Sequence, residues 1–353
     1  MGSFATLKKE QLDDQVVAVK TYTRYHGHLV RRHCERELRA VEHLGLRSPE
    51  SLKMKNRGLR IVDNDDNDDN ENEKTRKIKN KRGFDYQMKL LLMHVIDVVT
   101  TDQIISLTMP FYEHTLASVS LSLTEARRAV YQMAKALSYI HAQGMVHCDV
   151  SPSNVLVNSA GQCALSDFGC AHLQKFMPDP REVDEIGTRY YKAPEHLFGY
   201  RVYRPSTDIW SLGTLFCQLL LGFPLFAGEN DLEQIGSIVR RLGSPNESER
   251  EEMNCCPDAT KLFFFMPPSE CDSEDDSETE LSEDQEEEEE EEEEEDALSE
   301  CSDIITLDAA MENYSIEERD RVILRKMLTW SMKTRGSVEE ILDINVSEND
   351  WVA

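Results

Sequence analysis

The chain has 353 residues, 40% of them hydrophobic, enough for one large or two ordinary domains with a real core. Its formal charge of −28 argues against nucleic-acid and anionic-membrane partners, yet 21 of the acids lie in residues 269–300 without one Lys or Arg, leaving an ordinary −28 + 21 = −7 elsewhere. Nine cysteines without a C-x-x-C pair or a secretory leader predict reduced thiols in the cytoplasm or nucleus, and exclude a disulfide scaffold.

In chain order, "QVVAVKTY" at 15–22 alternates like a strand. "LVRRHCERELRAVEHL" at 29–44 puts Leu29, Cys34, Leu38, Val41 and Leu44 on one helical face. The stretch 62–82, an acidic run and then a basic one, is read as a disordered charged insert, because it lacks the glycine and terminal acid of a calcium loop. "QMKLLLMHVIDVV" at 87–99 and "QIISLTMPF" at 103–111 read as further strands, after which helices dominate from "LTEARRAVYQMAKALSYIHAQG" onward. "IWSLGTLFCQLLLGFPLF" at 209–226 carries Ser211, Thr214 and Gln218, and so reads as a buried core helix rather than a membrane span. Residues 269–300 are too polar to offset their chain entropy and read as a disordered acidic linker, with a basic partner as its natural occupant. The expected fold class is α+β in two lobes: a small β-rich lobe over 1–115 and a larger helical lobe over 116–353.

The chemistry-bearing strings fall at the joints of that plan. Lys20 closes the strand "VAVK", and Glu37 lies mid-helix seventeen residues on. "HCDVSPSN" at 147–154 holds Asp149 and Asn154 five residues apart between a predicted helix and a predicted strand. "SDFG" supplies Asp167, and "GTRYYKAPE" and "DIWSLG" follow. Each is weak alone, but six in this order resemble the eukaryotic protein kinases, and the segment from Gly187 onward resembles their cyclin-dependent kinase branch. "LSDFGCAHL" and "IGTRYYKAPEHLFG" resemble some fungal kinases that activate cyclin-dependent kinases.

The resemblance implies a serine/threonine kinase using ATP and Mg²⁺. Lys20, held by Glu37, would neutralise the nucleotide phosphates; Asp149 would accept the substrate hydroxyl's proton; Asn154 and Asp167 would hold the metal. Ala18 and Leu156 would sandwich the base, Met109 would be the gatekeeper, and Pro110 to Tyr112 the hinge. Thr188 would contact Asp149, and Glu195 would pair with Arg335. Protein substrates, including other kinases, are implied. A cyclin is the family's usual partner, but "RRHCERE" beside Glu37 names none.

Four departures qualify this. Only Gly2 stands near the place of the phosphate-covering glycine loop, so the first strand and most of that flap are expected to be missing, through a truncated sequence or a true absence. Ser151 replaces the catalytic-loop lysine, a loss of about 2–4 kcal/mol of transition-state stabilisation by analogy with oxyanion donors. Of the three arginine positions that grip a phosphorylated activation segment, only Arg36 survives, beside Cys148 and His172. The phosphorylated position itself becomes Val183, among Glu182, Asp184 and Glu185, so activity without activation-segment phosphorylation is expected. A pseudokinase scaffold is the competing reading; the retained Asp149 and Asp167 weigh against it.

Overall fold

The computed structural model describes residues 5–23, 27–47, 88–174, 187–265 and 306–344, apart from the side chains of 263 and 264. Gly2, both charged inserts and the stretch holding Glu182 to Glu185 lie outside these.

The upper lobe is a four-stranded antiparallel sheet carrying one helix. Its strands are β1 (Thr6–Leu12), β2 (Gln15–Thr23), β3 (Asp97–Thr100) and β4 (Ile104–Pro110), in the order β1-β2-β4-β3. β1 went unrecognised in the sequence because "TLKKEQL" is exposed along its whole length and has no apolar face to reveal it. β2 runs centrally, pairing Ala18 with Met109 and Lys20 with Leu107, so Lys20 is fixed by ladders on both sides. Helix α1 (His28–His43) buries Val30, Cys34, Glu37, Ala40 and Val41. Leu29, expected on that face, is exposed, and Val30 takes its place one residue on.

The strand expected over 87–99 is corrected: the only strand there is Asp97–Thr100. Its apolar residues do become core, since Met88, Leu92, Met93 and Val95 are all buried. Their backbone groups, however, bond outside the sheet, partly across the lobes. Met93 N donates to Leu165 O at 2.8 Å, Leu165 N donates to Leu91 O at 2.9 Å, and Val95 N donates to Leu46 O at 2.9 Å. An apolar run fixes burial without fixing which backbone satisfies it.

After a short β5 (His114–Thr115), α2 (Leu123–Ala142) opens the lower lobe with a Ser122/Glu125 capping box. Short strands follow: β6 (Met145–Val146), β7 (Val155–Val157), β8 (Cys163–Leu165) and β9 (His172–Leu173). β5, β7 and β8 form one small sheet, and β6 pairs with β9. The four-residue α3 (Pro194–Leu197) precedes α4 (Pro205–Leu221), which buries Trp210, Leu212, Leu215 and Phe216 and ends at Gly222, whose φ of 84° suits a residue without Cβ. It is the core helix expected from its apolar sequence. Among the described residues no helix is long and apolar enough to cross a membrane. Further helices α5 (Asp231–Leu242), α6 (Glu247–Met253), α7 (Leu307–Asn313), α8 (Glu318–Met327) and α9 (Val338–Asp343) complete the lobe. Arg127 of α2 and Asp320 of α8 form a buried pair at 2.6 Å.

Candidate active site

A cavity of about 620 Å³ opens between the lobes, and its wall includes Ala18, Met109, Pro110, Tyr112 and Leu156, the residues expected to receive a purine. Lys20, Glu37, Asn154 and Asp167 line its polar part. Lys20 Nζ stands 3.1 Å from Glu37 Oε2 and 2.8 Å from Asp167 Oδ1. Tyr22, two residues along the same strand and on the same face, donates its hydroxyl to Glu37. Burial works against the Lys20 ammonium, but Glu37 and Asp167 outweigh it and hold its pKa above the ordinary lysine value. Burial likewise pushes Glu37 up, against the pull of Lys20. Asp167 goes the other way: enclosure opposes its charge, yet Lys20 and the Gly169 amide hold its pKa below the ordinary aspartate value. An ionised carboxylate therefore faces the cavity.

The lower wall is a loop suspended from one buried carboxylate. Asp208, in the first turn of α4 and wholly buried, accepts from His147 N at 2.9 Å and Cys148 N at 2.8 Å, and lies 2.7 Å from His141 Nε2. These bonds hold Cys148 at a φ of 64°, and the chain turns there to present Asp149. Asp149 Oδ1 accepts from both the amide and the hydroxyl of Thr188 at 2.8 Å, and Oδ2 accepts from Asn154 Nδ2 at 2.8 Å. With its amide nitrogen turned to Asp149, Asn154 keeps its amide oxygen as an acceptor. That oxygen and the Asp167 carboxylate are hard donors of the kind Mg²⁺ takes, so the residues fit the metal. Ser151 is fully buried with its hydroxyl 3.0 Å from that of Ser153, and it is Ser153 that lines the cavity.

Around Cys148, where the sequence lacks one of the arginines that grip a phosphorylated activation segment, Val146, Cys148, Cys170 and Tyr203 form a small apolar core of their own. Cys170 Sγ lies 3.6 Å from His33 Nε2 of α1, and the His172 ring packs on Tyr203 at 4.3 Å. Burial pushes both thiols up, Cys148 well above its ordinary value. Farther on, Arg335 clamps Glu195 through two bonds of 2.8 and 3.1 Å, both side chains buried, as the sequence resemblance implied. Burial opposes the Glu195 charge, and Arg335 overrides it to lower the pKa.

Sequence reading missed three contributors. Tyr22 was findable from the strand period, and Asp208 from its place at the head of "DIWSLG". His33 gave no signal, because only the tertiary fold brings it to Cys170.

A protein kinase domain profile matches residues 60–346. The chain belongs to the protein kinase domain family. Lys20 and Glu37 precede the matched stretch, so their assignment rests on the geometry above. Human Cyclin-dependent kinase 20 is 37% identical over 146 residues, which is 41% of this chain and 42% of that protein. The probable serine/threonine-protein kinase glkA of Dictyostelium discoideum is 37% identical over 152 residues, 42% of this chain and 32% of that protein. Protein kinase gsk3 of Schizosaccharomyces pombe is 37% identical over 142 residues, 40% and 36% respectively. The chain thus spans less than half the length of the curated relatives it matches.

Proposed function

We propose that the protein is a serine/threonine protein kinase that transfers the γ-phosphate of ATP to protein hydroxyls. The observation that carries this reading is the state of Asp149: both carboxylate oxygens are held by Thr188 and Asn154, on a loop facing the Lys20–Asp167 pair. A carboxylate so fixed can orient a substrate hydroxyl and take its proton as the bond to phosphorus forms. Lys20 supplies positive charge where the nucleotide phosphates would lie. Asn154 and Asp167 would hold Mg²⁺, which when bound neutralises the charge developing on the transferred group. The Thr188 hydroxyl on Asp149 favours a serine or threonine acceptor over the longer tyrosine.

The finer reading is an enzyme of the nucleus or cytoplasm acting upstream of other kinases and active without activation-segment phosphorylation. Its support is the apolar core around Cys148, which sets an uncharged thiol where relatives carry a phosphate-binding guanidinium. The test is phosphotransfer to a serine or threonine protein with Mg-ATP. Asp149→Asn and Asp167→Asn should each abolish it, while phosphatase pretreatment should leave it intact. Failure of the wild type to bind Mg-ATP or transfer phosphate overturns the enzyme reading in favour of a scaffold. Loss of activity on phosphatase treatment overturns the finer one alone.

A further inference from the structure

A second cavity, about 320 Å³, has Asp149 and Thr188 in its wall together with Lys192, His196, Asp231 and Asp258. Its acids are already engaged. Asp149 is held as described, Asp231 pairs with Arg189 Nε at 3.0 Å, and Asp258 pairs with Lys261 Nζ at 2.8 Å. His196 is satisfied at both ring nitrogens, 2.7 Å from Tyr200 O and 2.8 Å from Thr207 Oγ1, and burial lowers its pKa, so it is neutral. Lys192 differs from all of them. Only 8% exposed, its ammonium makes no ion pair or hydrogen bond among the described residues, yet it is not one of the polar atoms sealed from solvent.

A cation in a largely buried setting, with no counter-charge among the described residues, is costly, and an anion delivered by a ligand relieves that cost. The ligand this cavity must admit is the polypeptide whose hydroxyl meets Asp149. Lys192 follows Thr188 by four residues across the turn Arg189–Tyr191, and Thr188 touches Asp149, so a chain advancing roughly 3.3–3.6 Å per residue can bring a side chain within about three positions of the acceptor to Lys192. We propose that Lys192 is a specificity-determining residue that selects an anionic side chain, a carboxylate or a phosphorylated residue, within about three positions of the acceptor serine or threonine. The inference rests on the kinase reading and adds to it the substrate's charge pattern.

The test walks Glu, against Gln, through each position flanking the acceptor of a short peptide, with phosphoserine as a second arm at the best position. One position is expected to show about a tenfold gain in kcat/KM for Glu, carried by KM. In Lys192→Met the Glu-to-Gln ratio should fall to within about twofold of unity, Lys192→Arg should retain it, and Lys192→Glu should invert it in favour of a Lys-bearing peptide. A gain for phosphoserine without one for Glu identifies a modified residue as the source. If melting curves show Lys192→Met unfolded, the Arg and Glu variants decide the outcome. A wild type indifferent to the anion, or a preference that survives in Lys192→Met or fails to invert in Lys192→Glu, overturns the proposal. A wild type that phosphorylates no peptide overturns the kinase reading instead.

Discussion

The two walls of the cleft between the lobes are made in opposite ways. Above, Lys20 sits on a thin sheet with one wholly exposed edge strand and Glu37 on the helix α1, and the two meet as charges across a gap. Below, Asp149 and Asn154 sit on a loop bonded through its own amides to Asp208, which is rooted in a helix buried along most of its length. A mutation in the upper wall removes an interaction made at the cleft, with little of the fold resting on it. A mutation in the lower wall removes an anchor for fold and chemistry together. Activity and stability should therefore separate above and fall together below.

The strongest way to break this comparison is Asp208→Ala. It strips three partners of a buried acceptor at once and should cost about 3–5 kcal/mol in urea unfolding, with phosphotransfer lost as well. An Asp208→Ala protein of unchanged stability would remove the distinction between the walls. Next is Lys20→Met, which keeps the stem and deletes the charge. Its phosphotransfer should fall by about 10²–10³-fold, with a smaller loss of stability than in Asp208→Ala, about 1–2 kcal/mol, because Glu37 keeps the Tyr22 hydroxyl and can take up a proton. A large loss of stability there would show the upper wall to be an anchor too.

The smallest effect sharpens the comparison through pH. His196 lies in the lower lobe and its pKa is lowered from the ordinary 6.5, first by burial. The unfolded chain therefore takes up this proton before the folded one as pH falls. The stabilisation is complete above pH 6.5 and is lost progressively below it, by at most about 1.4 kcal/mol per pH unit for one proton. Melting temperatures should drop on the acid side, and His196→Gln should flatten part of that slope. An unchanged slope in the variant would show that other groups, such as the similarly shifted His33 and His94, carry the acid sensitivity.

Legibility in the sequence followed the same division. Helices α2 and α4 and strands β2 and β4 were readable from local periodicity, whereas the meeting of Lys20, Glu37, Asn154 and Asp167 at one cleft was implied only by the resemblance to the protein kinases. β1 was not, since an exposed edge strand has no apolar alternation. The 87–99 stretch was misassigned because burial there is shared between lobes, and a one-dimensional pattern cannot say which backbone will accept its amides. The Cys148–Cys170 core illustrates a further limit. The sequence showed that arginines were absent, but only the fold shows that Val146 and Tyr203 fill the space around the thiols.

A Cβ placed on Gly169 would come 2.1 Å from His33 Nδ1, closer than atoms can stand. The imidazole therefore occupies the room that any side chain at that turn would need, and α1 and the Asp167 turn behave as a single machined part. A small molecule that wedges α1 outward would free the turn at the same moment, and one that demands a rearranged turn must first displace the helix. Compounds designed against this cleft would then meet one composite lock, and resistance should arise at His33, itself part of the cavity wall.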